Sequence, residues 1–197
     1  MNFLRKLRLG RKREVRGKDK ADTLFSLSSS YISLQTKLGL RPSGRSALSI
    51  KAASGTYFFE MEQEIKRFLA SAKTDIDLAY RSDTDSFGYL WMILEGKSIE
   101  DHLAGMTAAL DTIEEKGFSN ELLAILFEFL NERNGDNNAK KYYLIYNYKR
   151  NNFYPFVLTG IKSRSTEEEM KIMAAIADEM PFEKDMSLWY PIWDIPI

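Results

Sequence analysis

Cysteine is absent from this chain of 197 residues, and histidine occurs only once, at position 102. Without cysteine the protein has no disulfide bonds, thiolate metal sites or cysteine nucleophiles, and the composition is compatible with a reducing compartment. A metal site at His102 would need two or three further ligands, and the sequence around it supplies no matched partner. We therefore expect a surface histidine, and neither a metal site nor a cofactor.

Long apolar runs and the common catalytic motifs are also missing. No run of about 18 apolar residues occurs, so no segment is expected to span a bilayer as a helix. Arg5, Lys6 and Arg8 interrupt the apolar residues near the N-terminus, which is not expected of a secretory signal. Glycine-rich phosphate loops, the nucleophile elbow and the zinc-protease helix are absent. We therefore expect a cytoplasmic protein that is not an enzyme.

The formal net charge is zero, but the charges are unevenly distributed. Residues 1–20 contain nine Lys or Arg and two acidic residues, a net charge of +7, so the remaining residues carry −7. We predict a basic amphipathic arm at 1–20 and a single α+β domain at 21–197. The aromatic tail at 187–197 is too apolar to stay solvated and too rich in proline for a helix. We expect it to pack across the domain as an extended segment.

The basic arm favours polyanions, either an anionic membrane or nucleic acid. Phe3, Leu4 and Leu7 fall on one side of two helical turns, so this side can insert into a bilayer while basic residues meet headgroups. A solubilising tail and a strap folded onto the acidic domain remain open alternatives. The residues expected to contact lipid are Phe3, Leu4, Arg5, Lys6, Leu7, Arg8, Arg11, Lys12 and Arg13. Lipid contact would place the protein at the inner face of the membrane.

Apolar periodicity predicts the element order α-β-α-β-β-α-β-β-β-α. Helices are predicted at 22–38, 57–72, 98–116 and 165–180, and strands at 47–52, 75–80, 89–94, 122–130, 140–148 and 153–158. Hairpin-length links dominate, so we expect a mainly antiparallel sheet with helices on one main face. The order is similar to the two-layer fold of secretion chaperones, an analogy that concerns the fold alone.

The strongest strand pattern is the predicted hairpin at 140–158, which we expect to pair with the strand at 122–130. Its turn is formed by polar residues that tolerate a left-handed conformation. Pro155 has no N–H to donate, so we expect the return arm to lie at a sheet edge or leave the sheet there, with pairing stopping at this proline.

Acidic and apolar residues near the ends of elements have structural interpretations. Asp83 and Asp85 are interpreted as turn formers, and Glu167–Glu169 as a helix N-terminus, rather than as acid–base or metal sites. In the last helix, we expect Met170 to belong to the buried stripe together with Met173 and Ile176.

The aromatic residues of the hairpin and tail exceed what a core needs and are typical of a protein-binding surface. A stacking platform for single-stranded nucleic acid is the alternative, although the acidic domain argues against it. The residues expected to bind a protein partner are Tyr148, Arg150, Phe153, Tyr154, Phe156, Trp189, Tyr190 and Trp193.

Five collinear segments carry a family resemblance that covers about residues 20–194. They are DTLFSLSSSY (22–31), YLWMILE (89–95), GFSNELLAILF (117–127), YNYKRNNFYPF (146–156) and WYPIWD (189–194). The most specific are the turn ending in Tyr-Pro-Phe and the Trp-Tyr-Pro-x-Trp tail. Together they resemble the archaeal PspA-associated protein family, AB type.

The resemblance implies an accessory role in membrane maintenance. Members of that family are encoded among components related to phage-shock envelope stress, including PspA and an HtpX-type membrane protease. No catalytic or ligand residue comes with the resemblance, and the arm of this chain is more basic than the family pattern. We therefore expect a non-enzymatic adaptor that contacts an anionic membrane and a PspA-like protein partner, with nucleic-acid binding through the arm as the alternative.

Overall fold

The computed structural model describes residues 17–71, 77–131 and 140–197. The helices are α1 (Gly17–Phe25), α2 (Leu27–Ser33), α3 (Thr56–Ser71), α4 (Ile99–Glu115) and α5 (Thr166–Ile176). The strands are β1 (Leu40–Lys51), β2 (Leu78–Thr84), β3 (Tyr89–Gly96), β4 (Leu122–Asn131), β5 (Lys141–Asn147), β6 (Asn152–Gly160) and β7 (Ser163–Arg164). A π-helical turn at Leu34–Leu38 follows α2, and a 3-10 helix occupies Met186–Leu188.

The predicted order of elements is confirmed for the described residues, with two additions. The first predicted helix is divided into α1, α2 and the π-helical turn, and the two-residue strand β7 was not expected. Residues 1–16 of the predicted arm, the start of the second predicted strand at 75–76, and the loop at 132–139 lie outside the described residues.

All seven strands form one antiparallel sheet in the order β2-β3-β1-β4-β5-β6-β7. The predicted antiparallel α+β fold is therefore confirmed. The predicted hairpin consists of β5 and β6, and β4 pairs with β5 as expected. Asn151 in the hairpin turn has a φ of 53°, the left-handed conformation that the polar turn sequence indicated.

The helices pack on one face of the sheet, as predicted. Helix α4 contacts β1 and β3, α5 contacts β6, and α3 contacts α4 and β2. Ser98 and Ser165 begin α4 and α5, where their hydroxyl oxygens accept hydrogen bonds from the main-chain N–H groups of Asp101 and Glu168. The predicted helix starts are confirmed at both serines.

The aromatic tail covers part of the opposite face of the sheet as an extended segment, which confirms the expectation. The ring of Trp193 lies 5.4 Å from that of Phe156, and the hydroxyl of Tyr143 donates to the main-chain oxygen of Ile197 at 2.8 Å. Arg81 on β2, the strand at the other edge of the sheet, donates to the main-chain oxygen of Pro196 at 3.0 Å. Because both faces are covered, successive residues of the central strands are buried on alternate sides.

The expectation that pairing stops at Pro155 is wrong, because β5 and β6 remain paired beyond it, as far as Lys141 and Leu158. On the outer side of β6, the N–H groups of Phe153 and Val157 donate to Pro181 O and to the Glu169 carboxylate, both at 2.9 Å. Alternate N–H groups of a strand point to the same side, so the missing N–H of Pro155 also faces outward. The proline therefore costs the β5–β6 ladder nothing.

The predicted buried stripe of α5 is confirmed at Ile176 and wrong at Met170, while Met173 is partly buried against the core. Met170 is exposed, whereas Ile172, Ile176 and the carboxylate of Glu169 are buried. Glu169 faces inward because it binds Arg164, and this contact sets the rotation of the helix. Apolar spacing alone does not show this, because a charged residue occupies the inward position.

The expectation of a surface histidine is wrong, because only 2% of His102 is exposed. Its Nδ1 lies 2.5 Å from Ser46 Oγ on β1, and its Nε2 lies 3.1 Å from Gly96 O at the end of β3. A carbonyl can only accept, so Nε2 carries the proton of the neutral ring and Nδ1 accepts from the serine hydroxyl. Burial lowers the pKa of His102, outweighing the opposite effects of the Gly96 carbonyl and the Asp101 charge.

We expect the free energy of unfolding to fall as the pH is lowered from about 7.5 to about 5. The folded state favours neutral His102, so its contribution is complete above the unfolded pKa and is lost as pH falls through and below that value. His102 is the only histidine in the chain. Urea unfolding at both pH values tests this, and His102→Gln should reduce the dependence to the smaller part that comes from carboxylates. Equal stability of the unaltered protein at the two values would contradict it.

Candidate partner-contact surface

The two segments predicted to bind a partner come together at the outer edge of the sheet. Glu183 N–H donates to Phe153 O at 2.8 Å, next to the bond from Phe153 N–H to Pro181 O. Phe153 and Phe182 thus form a parallel bridge between β6 and the start of the C-terminal segment. The β5–β6 turn and the residues leading into the tail are therefore parts of one surface.

Glu183 fixes the turn against the C-terminal segment. Its Oε2 accepts hydrogen bonds from Arg150 Nε at 2.5 Å and Asn152 Nδ2 at 2.9 Å, and its Oε1 accepts from Asp185 N–H at 3.1 Å. Its main-chain oxygen accepts from the indole N–H of Trp189 at 2.9 Å. Burial raises the pKa of Glu183, but the hydrogen bonds outweigh it, so the net pKa lies below the ordinary value and the carboxylate stays charged.

An ion pair between the buried Glu169 and the partly exposed Arg164 fixes the tail a little further along. The carboxylate of Glu169 accepts from Arg164 Nε at 2.9 and 3.0 Å, lies 2.8 Å from Arg164 Nη2, and also accepts the Val157 N–H. The Nη1 of Arg164 donates to the main-chain oxygen of Trp189 at 2.8 Å. The ion pair therefore joins α5, β6 and the tail.

Most of the aromatic residues predicted to bind a partner are buried in the folded chain. The buried ones are Tyr148, Phe153, Tyr154, Phe156 and Trp189. Their partners are internal: the rings of Tyr146 and Phe153 lie 5.2 Å apart, and those of Phe182 and Trp189 lie 6.1 Å apart. Their number reflects a sheet that is covered on both faces, which periodicity along a single strand does not reveal.

Three of the predicted residues reach the surface, and one unpredicted residue joins them. Tyr190 is 53% exposed, Arg150 is exposed and Trp193 is half-buried, while Met186 was not predicted and carried no sequence signal. Tyr154 donates its hydroxyl proton to the main-chain oxygen of Tyr190 at 2.9 Å, which fixes the backbone under the exposed ring. We call Arg150, Met186, Tyr190 and Trp193 the tail surface.

The tail surface is suited to recognition of another protein. It offers an aromatic ring, a thioether and a guanidinium on a backbone held by buried hydrogen bonds.

Within the described ranges, no group of three or more His, Asp and Glu residues is placed to hold a metal ion. The Asp85 carboxylate holds the β2–β3 turn, as predicted, by accepting from Phe87 N–H, Tyr89 N–H and the Trp91 indole at 2.9 Å each.

The residues predicted to contact lipid, Phe3 to Arg13, lie outside the described part of the chain. The point where the arm joins the domain is described, because Lys20 lies on α1. Its Nζ is 3.5 Å from Glu114 Oε1 and 3.5 Å from the centre of the Tyr148 ring. Tyr148 in turn donates to Glu114 at 2.6 Å. None of the described helices is long and apolar enough to cross a bilayer.

Comparison with known proteins gives one family. The model of the family described as PspAB, PspA associated protein B, matches residues 1–197. No curated protein and no solved structure matches the chain.

We expect Glu169→Gln to lower the free energy of unfolding by about 2 kcal/mol, because it removes the charge that pairs with the partly exposed Arg164 guanidinium. The tail should also loosen, shifting the fluorescence of the tryptophans toward that of solvated indole. Urea unfolding and emission spectra measure the two effects.

The matched control is Glu167→Gln, two residues earlier on α5, where an exposed glutamate pairs with Lys171 across one helical turn. This change should leave the unfolding midpoint nearly unchanged, since exposed ion pairs contribute little. Equal destabilisation by the two changes would show that the pair of Arg164 and Glu169 has no special role.

Proposed function

Since the chain belongs to the PspA associated protein B family, we propose that it is a non-enzymatic accessory protein that binds a PspA-like partner and an anionic membrane. The observation that carries this proposal is the match of the family model to the whole chain, residues 1–197. The proposal places the protein in the cytoplasm, peripheral to the inner face of the membrane. It assigns the partner to the tail surface and the lipid to the basic arm.

The tail surface supports partner binding because its geometry is fixed before any partner arrives. Binding loses free energy when side chains and loops must be ordered, so a surface held by Glu183 and Arg164 avoids part of that cost. Aromatic and arginine side chains dominate the binding energy of most protein interfaces. Tyr190 has the most exposed ring on this surface and is the natural anchor.

Lipid binding by the arm is supported by its composition. Each basic residue near an anionic surface contributes on the order of 1 kcal/mol, and the apolar residues Phe3, Leu4 and Leu7 add insertion to this attraction. Nucleic acid would use the same charges without the apolar residues and with a steep dependence on salt. The apolar residues therefore favour the membrane, and the two polyanions are separable by mutation.

We expect Tyr190→Ser to weaken binding of a purified PspA-family protein about tenfold, because truncation of an exposed aromatic anchor removes much of the local binding energy. The control is Ile161→Ser, which alters an exposed apolar residue at the tip of the β6–β7 turn. Biolayer interferometry with the full chain measures both affinities. Undiminished binding by Tyr190→Ser, or no binding by the unaltered chain, would contradict the assignment.

We expect Leu7→Asp to reduce co-sedimentation with phosphatidylglycerol-containing vesicles about tenfold, because it places a charge on the predicted insertion side. The matched control is Leu9→Asp, which makes the same change off that side. Removal of residues 1–16 leaves α1 intact and should abolish binding. Equal binding by all variants would contradict a role for the arm. If vesicle binding depends on salt and falls equally in the two aspartate variants, attraction to phosphate groups alone would be favoured.

A further inference from the structure

We propose that the end of the sheet carrying Tyr57, Phe59 and Phe87 is a second membrane contact, which inserts these three aromatic rings into the interface of an anionic bilayer. We call these three residues the aromatic tip. The inference rests on the proposed lipid contact of the arm and adds to it a site in the folded domain and a fixed orientation on the membrane.

Strand register places the aromatic tip at one end of the molecule. Lys51 at the end of β1 pairs with Tyr89 at the start of β3, and Ile50 pairs with Leu122 at the start of β4. The β1–α3 connection and the β2–β3 turn therefore leave the sheet at the same end. Main-chain bonds confirm the proximity, since Ala52 N–H donates to Gly88 O at 3.0 Å. Tyr57 and Phe59 lie in the first turn of α3, directly after this connection.

None of the three rings is part of the hydrophobic core. Tyr57 is 78% exposed, Phe59 60% and Phe87 71%. Phe58 lies between Tyr57 and Phe59 in the sequence and faces inward. Its ring packs edge-on against that of Phe118, with ring centres 5.2 Å apart. The core position of this turn is thus already filled. The exposed aromatic residues on either side of it need another explanation.

The arm joins the domain at this same end. Ala124 pairs with Asn147, so the β5–β6 turn that contains Tyr148 lies at the end where β4 begins. Lys20, near the start of α1, packs on the Tyr148 ring. A lipid-bound arm therefore holds this end of the sheet near the bilayer, and the opposite end, with Ile161 in the β6–β7 turn, away from it.

The tip carries exposed basic residues although the domain as a whole is acidic, and an exposed glutamate, Glu60, directly follows Phe59. Lys51 and Lys149 are exposed at this end, and neither forms an ion pair with any residue in the described ranges. Asp85, the acidic residue nearest to Phe87 in the turn, directs its carboxylate to main-chain and indole N–H groups. Basic residues at the same end as exposed aromatic rings are typical of proteins that bind at the headgroup level.

The positions of the three rings relative to one another favour contact with a lipid surface over contact with a protein partner. The rings project from the first turn of α3 and from the β2–β3 turn, and small residues lie close to them in sequence: Ser54, Gly55, Ser86 and Gly88. The positions where Gly55 and Gly88 would carry a side chain are open, with no atom within 4 Å. Projecting rings with open space between them can enter a deformable bilayer, whereas a protein partner needs complementary packing.

The absence of cysteine allows a direct test with single-cysteine reporters in the full chain. Phe87→Cys carries an environment-sensitive fluorophore at the tip, and Ile161→Cys carries the same fluorophore at the opposite end, at a position that is 88% exposed. Both proteins are mixed with phosphatidylglycerol-containing vesicles and with phosphatidylcholine vesicles, and co-sedimentation is recorded in parallel. Circular dichroism and thermal unfolding confirm that each variant is folded.

We expect a blue shift and increased emission at position 87, but not at 161, with the anionic vesicles. Serine at all three tip positions should lower vesicle binding about tenfold, whereas Ile161→Ser should not. Co-sedimentation without a shift at 87, or with equal shifts at the two positions, would overturn the aromatic tip and leave the arm's lipid contact intact. Absence of co-sedimentation would overturn both. A shift at 87 caused by a PspA-family protein without vesicles would overturn the lipid assignment in favour of protein docking.

Discussion

The ion pair of Arg164 and Glu169 is the contact on which the C-terminal third of the structure depends. Burying two charges costs several kcal/mol per ion, and this cost is offset only when the remaining donors and acceptors are also satisfied. The Val157 N–H and the Trp189 main-chain oxygen complete the set. The pair thereby fixes the rotation of α5 and the path of the tail across the sheet. Apolar residues in place of the ion pair could give the same stability, but they could not fix the backbone of both α5 and the tail.

The tail explains why the sequence is so rich in aromatic residues. Helices cover one face of the sheet, and without the tail the other face would present alternate residues of β5 and β6 to water. Tyr143 and Phe156 on that face are buried beneath the tail through Ile197 and Trp193. A sheet covered on both faces needs apolar residues at nearly every position of its central strands. The aromatic excess is thus mainly a property of the fold.

Local sequence patterns predicted most of the architecture because short-range physical chemistry determines it. Helix caps at Ser98 and Ser165, strand periodicity and the left-handed turn residue Asn151 each act within a few residues.

The features that sequence reasoning missed depend on how one element packs against another. The buried ring of His102 accepts a hydrogen bond from the Ser46 hydroxyl and donates one to the Gly96 carbonyl, and the buried carboxylate of Glu169 pairs with Arg164. Periodicity along one element does not show either contact. The same limitation applied to the candidate site: its segments were identified, but only the folded tail shows which side chains reach the surface.

The proposed contacts with membrane and partner are geometrically compatible because their exposed rings lie at different places on the domain. The aromatic tip and the point where α1 joins the domain lie at the end of the sheet where β4 begins, as does Arg150 in the β5–β6 turn. Tyr190 and Trp193 lie along β6, beside Tyr154 and Phe156. With the tip on a bilayer, the strands run away from the lipid, and Tyr190 and Trp193 face sideways. The separation of charge reinforces this orientation, since the basic arm is drawn to anionic lipid and the acidic domain is repelled by it. A partner held at the membrane would therefore meet the tail surface without displacing the lipid contact.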